Sequence, residues 1–299
     1  MLNPQTIEIL LAPSILGLSP TGVELLGKTL LDNGLARHLG VTQPVTEVPT
    51  FNHLYSPERD EDTHCLNTQA LQDFSAVLRK AVTHSLEQLH FPLVLGGDCS
   101  ILLGIMSSLK MKGRYGLVFV DAHADFYEPE KSTTGEVADM DLAIVTGRGP
   151  EALTDMDHLR PYVEDELVIQ VGQRDQEETR RFGSQEISET AITCIGFDEI
   201  MQRGIEDVTT AVLQQMDKTD AEGYWLHYDL DVLADEVNPA VEYRLPGGLN
   251  FEQAEHLVGN LLASGKIAGM SVTIFNPSMD KDGRIGRNIT YSLARSFRR

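Results

Sequence analysis

Three metal-capable side chains follow a strongly apolar segment of the chain. Residues 116–120 are apolar without interruption and run directly into Asp121, His123 and Asp125. In an extended chain, alternate residues point to the same side, so these three side chains can converge on one position. Carboxylates combined with imidazole suit a divalent ion between manganese and zinc. The pattern therefore predicts a metal site at the end of a buried strand.

A second carboxylate pair, Asp229 and Asp231, follows another apolar run at residues 225–228. Taken singly, such residues could be strand-end caps or turn residues, but closely spaced carboxylates repel one another unless a cation neutralises them. Five ligands exceed what one ion needs, so we expect some carboxylates to bridge two ions. Two such ions can share a water, lower its pKa and make it nucleophilic at neutral pH.

The turn at residues 96–100, Gly-Gly-Asp-Cys-Ser, follows a third apolar run. Its glycines permit close approach of the chain, and Ser100 is a candidate helix cap. Cys99 is either a thiolate ligand beside the metal cluster or a small buried hydrophobe. His227, two residues before Asp229, either faces the same edge or is an ordinary core histidine. Because the turn lacks the full phosphate-binding glycine pattern, nucleotide binding is poorly supported.

Short apolar segments alternate with longer amphipathic ones through most of the chain. The predicted strands are residues 7–11, 93–95, 116–120, 166–171, 225–228 and 269–274. The predicted helices are residues 23–39, 70–89, 101–110, 205–216 and 251–263. Such alternation predicts a mainly parallel sheet covered by helices on both faces, with ligands outside the carboxyl ends of its strands. Since no repeat or linker interrupts the chain, we expect one domain over residues 1–299.

The composition narrows the partners and the compartment. A net charge of −21 argues against nucleic acid or an anionic membrane as a partner. Residues 280–299 are locally basic, and this segment either docks on a neighbouring subunit or is a solvated end. Three widely spaced cysteines favour a reducing, cytoplasmic location over a disulfide framework. Residues 7–13 lack a basic leader and predict a first strand rather than a signal peptide.

The three motifs together resemble the arginase/agmatinase (ureohydrolase) family. Gly-Gly-Asp-Cys-Ser at residues 96–100, Asp-Ala-His-Ala-Asp at 121–125 and Asp-Leu-Asp at 229–231 occur in the family's order and spacing. The resemblance covers roughly residues 90–280. It implies an eight-stranded α/β/α sandwich, a small-molecule substrate, two Mn²⁺ ions and a homo-oligomer, trimeric or hexameric. The implied reaction is the hydrolysis of guanidino compounds to an amine and urea.

The resemblance also assigns ligands and roles. The more buried ion would be held by Cys99, Asp121, Asp125 and Asp229. The second ion would be held by Asp121, His123, Asp229 and Asp231. Asp125 would in addition pass a proton towards the leaving amine.

Three positions depart from the family pattern. Cys99 replaces the first histidine ligand, which makes that site softer and less suited to manganese. Ala138 replaces a histidine proton shuttle, and Ile274 replaces the glutamate that grips the guanidinium group. Loss of a buried carboxylate partner should cost several kcal/mol of cation binding. We therefore expect a substrate other than plain arginine.

The sequence offers other groups for substrate binding. Glu136 and Thr134 lie in a loop that resembles the substrate loop of the family. Glu242 lies where members of the family usually carry a small residue. Either carboxylate could meet a cationic group, or could be a solvated loop residue. The prediction is a metal-dependent hydrolase of a linear amidine or guanidino compound. The alternative is a catalytically weak relative whose metal site serves structure or ligand sensing.

Overall fold

The fold is organised around an eight-stranded parallel sheet. The computed structural model describes residues 6–298. Across the sheet the strands follow the order β2-β1-β3-β8-β7-β4-β5-β6, and every neighbouring pair is parallel. The strands are β1 (Ile7–Ala12), β2 (Thr46–Glu47), β3 (Phe91–Gly96), β4 (Tyr115–Val120), β5 (Val168–Val171), β6 (Thr193–Ile195), β7 (Gly223–Asp229) and β8 (Ile267–Thr273).

Helices cover both faces of this sheet and complete the predicted three-layer α/β/α sandwich. One apolar cluster joins a sheet face to α3, α4, α5 and α6, and a second joins the other face to α1, α2, α8, α9, α10 and α11. The helices are α1 (Leu26–Asp32), α2 (Leu35–Leu39), α3 (Thr68–Glu87), α4 (Ile101–Lys112), α5 (Asp141–Val145), α6 (Glu151–Thr154), α7 (Gln176–Phe182), α8 (Phe197–Arg203), α9 (Ile205–Asp217), α10 (Phe251–Ala263) and α11 (Arg284–Ser296).

The four central strands, β3, β8, β7 and β4, are buried almost throughout. Alternate side chains serve the two cores: in β4, Val118 and Val120 enter one cluster while Leu117 and Phe119 enter the other. A strand covered on both faces has no solvated side, so it is apolar along its whole length. Because these four neighbouring strands are parallel, their carboxyl ends lie at the same edge of the sheet.

The sequence pattern misjudged several elements outside this centre. It missed β2, which is two exposed residues, and β6, a three-residue strand at the sheet edge. The strand expected at residues 166–171 begins at Val168, because a 3₁₀ turn occupies Asp165–Leu167. The single helix expected at residues 23–39 is broken at Gly34, whose φ of 89° is left-handed and separates α1 from α2.

The basic C-terminal segment forms an amphipathic helix rather than a solvated end. Ile285, Ile289 and Leu293 of α11 are buried against the core, while Arg295 pairs with Glu255 of α10. Arg299 lies outside the described residues. Among residues 6–298, no helix combines the length and apolar character needed to cross a membrane.

Candidate metal centre

The central strands deliver all six predicted metal ligands to one edge of the sheet. Cys99 lies in the turn between β3 and α4, and Asp229 is the last residue of β7. Asp231 lies in the 3₁₀ turn Leu230–Val232, where its backbone N–H donates to Asp229 Oδ1 at 2.7 Å. After β4, the His123 backbone N–H donates to Asp121 Oδ1 at 2.7 Å. Carboxylates that accept from their own turns are held in fixed orientations.

Two groups of metal-capable atoms share one carboxylate. Within each group, the candidate ligand atoms lie within 4.8 Å of one another, and Asp121 belongs to both. The deeper group is Cys99, Asp121, His227 and Asp229. The outer group is Asp121, His123 and Asp125. Asp231 adjoins the outer group, because its Oδ2 lies 2.8 Å from His123 Nδ1.

Burial and mutual repulsion disfavour negative charge on these carboxyl groups. Burial, followed by the charge of Asp231, raises the pKa of Asp121 to about 7. Burial and neighbouring carboxylates likewise hold the pKa of Asp125 and the pKa of Asp229 well above the usual range. Without a cation the cluster must therefore retain protons, since several buried negative charges cannot coexist at this separation.

His123 lies within the cluster, where neighbouring carboxylates favour its protonated form. Burial opposes its charge, but the carboxylates of Asp231 and Asp121 outweigh burial and raise the pKa of His123. Burial likewise opposes the charge of Asp231, yet His123 and the Ala122 backbone N–H outweigh it and lower the pKa of Asp231. The partly exposed imidazole and this buried carboxylate form an ion pair at the cavity.

Cys99 is embedded in the deeper group. Its Sγ lies 2.7 Å from Asp229 Oδ2 and 3.1 Å from Thr273 Oγ1. Burial and the charge of Asp229 raise the pKa of the Cys99 thiol well above its ordinary value. A protonated thiol can donate to the carboxylate, whereas a thiolate would need a cation between the two groups.

The donor set fits divalent metal ions. Asp121 Oδ2 is fully buried and has no hydrogen-bond partner among the described residues. Such an atom carries the full cost of desolvation unless a ligand satisfies it. Carboxylate oxygens, imidazole nitrogen and one thiolate sulfur provide ligands of the kind that manganese, iron, cobalt and zinc accept.

A cavity of about 390 Å³ opens above the cluster. Five of the six predicted ligands reach its wall, whereas Asp121 lies beneath it. All three predicted substrate-binding residues also line the cavity: Thr134, Glu136 and Glu242. A pocket that ends on a buried polar cluster is the usual shape of a small-molecule site.

The candidate substrate residues are already hydrogen-bonded within the wall. Tyr243 Oη donates to Glu136 Oε2 at 2.6 Å. Asn276 Nδ2 donates to Glu242 Oε1 at 2.6 Å, while Glu242 Oε2 is buried and has no partner in the described chain. Thr134 Oγ1 donates to Asp139 at 3.1 Å. The two glutamates are thus held in place rather than solvated.

Ala138 and Ile274, which replace polar residues of the family pattern, both line the cavity. Each contributes to a small apolar cluster beside Cys99. Ile274 has a φ of 71°, a left-handed conformation that β-branched residues rarely adopt. The substitutions therefore make part of the wall apolar and leave a strained backbone at the cavity.

Two functional candidates are not among the six predicted ligands. His227, for which the sequence left open either the strand edge or the core, is fully buried in β7 and belongs to the deeper group. Asp141, at the start of α5, is fully buried and both of its carboxylate oxygens lack side-chain or backbone partners in the described chain. Burial and Asp121 hold the pKa of Asp141 well above its usual range. An acid inside the apolar segment 140–145 was the available signal.

Known proteins are similar to this chain in sequence and in fold. The profile of the arginase family matches residues 45–298. An arginase of Staphylococcus aureus strain MSSA476 is 28% identical over 294 residues, which cover 94% of this chain and 93% of that protein. The solved arginase of Bacillus caldovelox superposes with a TM-score of 0.87 at 25% identity and covers 98% of both chains. The solved formimidoylglutamase of Bacillus subtilis has the same fold, with a TM-score of 0.74 at 18% identity over 98% of this chain and 86% of that one.

The matched region contains the four central strands, the turns that follow them and all six predicted ligands. Both the fold class and the family resemblance predicted from the motifs are confirmed. The chain belongs to the arginase family, whose members are metal-dependent hydrolases of carbon–nitrogen bonds.

Proposed function

We propose that this chain hydrolyses a carbon–nitrogen bond in a linear amidine or guanidino compound, using two divalent ions, with Mn²⁺ expected except that the site containing Cys99 would bind it weakly or prefer another divalent metal. The observation that carries the proposal is the convergence of the six candidate ligands at the base of one cavity. The family resemblance would assign Cys99, Asp121, Asp125 and Asp229 to the deeper ion and Asp121, His123, Asp229 and Asp231 to the outer one, although Asp125 is grouped here with Asp121 and His123. Bound there, the two ions would supply a water of lowered pKa and electrostatic stabilisation of the transition state.

Asp125 is the candidate for proton transfer. It reaches the cavity wall, and burial together with nearby carboxylates raises its pKa above the usual range, which favours proton uptake by this side chain. Hydrolysis adds water to the central carbon and breaks its bond to one nitrogen, which must leave with a proton. A carboxyl group at the cavity base can collect the proton of the attacking water and deliver it to that nitrogen.

The charges around the cavity favour a cationic substrate without a carboxylate. Beyond the ligands, its wall carries five acidic side chains: Glu136, Asp139, Asp175, Glu178 and Glu242. Its lining contains two basic groups, His123 in the metal cluster and Arg244, whose guanidinium pairs with Asp235 at 2.8 Å. The carboxylate of an amino acid would therefore meet repulsion, whereas an amidinium or guanidinium cation would be attracted.

The residues at the cavity wall favour a substrate other than plain arginine. Ile274 offers the guanidinium no carboxylate at a position where the family pattern has glutamate. Glu242, whose Oε2 is buried and unpaired in the described chain, is the candidate replacement. A cation bound by Glu136 or Glu242 would enter the cavity in another orientation than a guanidinium bound by a glutamate at position 274. This difference supports a linear amidine other than arginine as the substrate.

The test is turnover of a substrate panel by purified, metal-loaded protein. The panel should contain guanidino and amidino compounds with and without a carboxylate, and ammonia and urea are both measured. We expect release from compounds without a carboxylate at rates at least about 10-fold above L-arginine. Asp121→Asn, which removes one charge from both metal groups, is the matched inactive control. Equal activity of this variant and the parent protein would contradict the proposal.

A second candidate is a catalytically weak protein whose metal cluster serves structure or ligand sensing. It is favoured by the joint replacement of three polar family residues with Cys99, Ala138 and Ile274. This candidate predicts tight metal binding and thermal stabilisation by a ligand, without ammonia or urea release from any compound in the panel. Turnover that depends on Asp125 would exclude it.

We also propose a single domain over residues 1–299, a cytoplasmic location and a homo-oligomer, trimeric or hexameric. The continuous sheet, the three unpaired cysteines and the family membership support these proposals respectively. Calorimetry should show one cooperative thermal transition, cell fractionation should recover the protein in the cytoplasmic fraction, and light scattering should give the mass of a trimer or hexamer. Two separate transitions or a strictly monomeric mass would contradict the first and last.

A further inference from the structure

His227 and Cys99 contact each other across the centre of the sheet. His227 Nε2 lies 3.4 Å from Cys99 Sγ, although 128 residues separate them in the chain. The thiol comes from the turn after β3 and the imidazole from β7, with β8 between these strands. Both side chains are fully buried, and together with Asp121 and Asp229 they place four ligand atoms within 4.8 Å of one another.

The surroundings of His227 hold its ring with Nε2 turned to this group. Nδ1 lies 2.9 Å from Ser271 Oγ, which also accepts a hydrogen bond from Trp225 Nε1 at 2.9 Å. The imidazole stacks on Phe119, with 4.9 Å between ring centroids and 9° between planes. If Nδ1 donates to Ser271, the lone pair of Nε2 is free for a metal ion. A histidine ligand is commonly fixed in this way through its second nitrogen.

From this geometry we infer that His227 is a ligand of the deeper metal ion, in a site formed by Cys99, His227, Asp121 and Asp229. The inference rests on the proposed function for the presence of an ion at this position. It adds a ligand from β7 that the six sequence-predicted residues do not include. The buried Oδ2 of Asp121, which has no hydrogen-bond partner in the described chain, is a second observation that points to an ion at this cluster, although Asp121 belongs to both groups.

The composition of this site determines its metal preference. One thiolate, one imidazole and two carboxylates form a softer donor set than the outer group, which has oxygen donors and one imidazole. A thiolate–imidazole pair favours zinc, iron or cobalt over manganese, whereas carboxylate-rich sites accept manganese. The two positions should therefore differ in metal preference, with the softer ion bound beside Cys99 and His227.

A structural role for His227 is the competing explanation. Its Nε2 also lies 3.4 Å from Thr273 Oγ1, so the ring could simply bridge Cys99 and Thr273. A bridging histidine would affect stability when removed, but not the metal that binds or its spectrum. Metal affinity and ligand spectroscopy therefore separate the two roles, whereas hydrolytic activity does not.

The first experiment compares Zn²⁺ and Co²⁺ binding to chelator-treated full-length variants. His227→Ala should weaken Zn²⁺ binding at the thiolate-containing site by more than about 100-fold, because even partners behind a ligand contribute 10–100-fold. Ser271→Ala should fall within that smaller range, and the Co²⁺ ligand-field bands should change in His227→Ala. Cys99→Ala is the matched control, since it should abolish the cobalt–thiolate band. Unchanged Zn²⁺ affinity and an unchanged Co²⁺ spectrum in His227→Ala would overturn the inference.

The second experiment does not depend on the folding of a His227 variant. His123→Ala, loaded with one equivalent of Zn²⁺, retains His227 as the imidazole of the proposed metal centre. X-ray absorption should show one sulfur at about 2.3 Å and one imidazole nitrogen at about 2.0 Å. Sulfur without imidazole scattering would overturn the inference. If the parent protein holds two ions and hydrolyses amidines, that result leaves the proposed function intact; a parent protein that binds no ion overturns both.

Discussion

Removal of metal should destabilise this protein, because ions that bind only the folded chain stabilise it. The perturbation is exhaustive chelation, followed by thermal unfolding with and without added Mn²⁺ or Zn²⁺. At a free concentration 100-fold above Kd, each bound ion contributes about 2.7 kcal/mol, so two ions contribute about 5 kcal/mol. With an unfolding entropy of about 2 cal/mol/K per residue, a chain of this length should lose roughly 8 °C in Tm.

The pH dependence of the metal-free protein gives this prediction its sign. The pKa of Asp121 is raised from 3.8 to about 7 in the folded chain by burial and by Asp231. The unfolded chain then releases this proton near pH 4 while the folded chain retains it, so metal-free stability falls as pH rises from about 4 to about 7. A shift of about three pKa units corresponds to roughly 4 kcal/mol. Protons also compete with metal ions at low pH.

The assay is differential scanning calorimetry at pH 5 and pH 7.5, with and without metal. We expect the metal-dependent rise in Tm to be large at pH 7.5 and much smaller at pH 5. Asp121→Asn is the control: it keeps an oxygen for the His123 backbone N–H but removes the buried charge. Its metal-free form should be more stable than the metal-free parent at pH 7.5 and gain little from metal. Equal Tm values with and without chelator at both pH values would refute the reasoning.

Three substitutions test the cavity itself. Asp125→Asn should lower kcat by about 10²- to 10⁴-fold, the usual contribution of a positioned proton-transfer group; steady-state kinetics within threefold of the parent would exclude that role. Ile274→Glu should raise kcat/KM for L-arginine at least about 10-fold, since a buried carboxylate partner for a cation contributes several kcal/mol. An unchanged kcat/KM would show that this position does not limit arginine binding. Glu242→Gln should raise KM for a cationic amidine about 10-fold with a smaller change in kcat, because it removes the charge that pairs with the cation. The KM for an uncharged analogue should stay constant. Equal effects on both compounds would indicate that Glu242 has only a structural role.

The central strands and their polar ends were predictable, because a strand buried on both faces has a recognisable run of apolar residues. A strand covered on both faces is apolar throughout, so residues 116–120 and 225–228 predicted β4 and β7. Because neighbouring parallel strands end at one edge of the sheet, the sequence also predicts that Asp121 and Asp229 lie close together. The edge strands β2 and β6 have no such apolar run, since they are short and not covered on both faces.

The partnership of His227 with Cys99 was not predictable, because it depends on register rather than on pattern. In β7, His227 lies opposite Phe119 of β4 and Ser271 of β8. The contact with Cys99 then requires β8 to lie between β3 and β7, an order that local sequence does not encode. Asp141 was missed for a similar reason, since its place beside the cluster depends on how residues 128–140 return to the sheet edge.

The most direct test of the central claim combines metal counting with product release in one sample. The protein is titrated with metal after chelation while ions per chain and ammonia or urea release from a cationic, carboxylate-free amidine are measured together. We expect turnover to rise with metal occupancy, to reach its maximum near two ions per chain and to disappear in Asp121→Asn. Full hydrolytic activity in the chelated sample, or two tightly bound ions with no product from any amidine or guanidino compound, would contradict it.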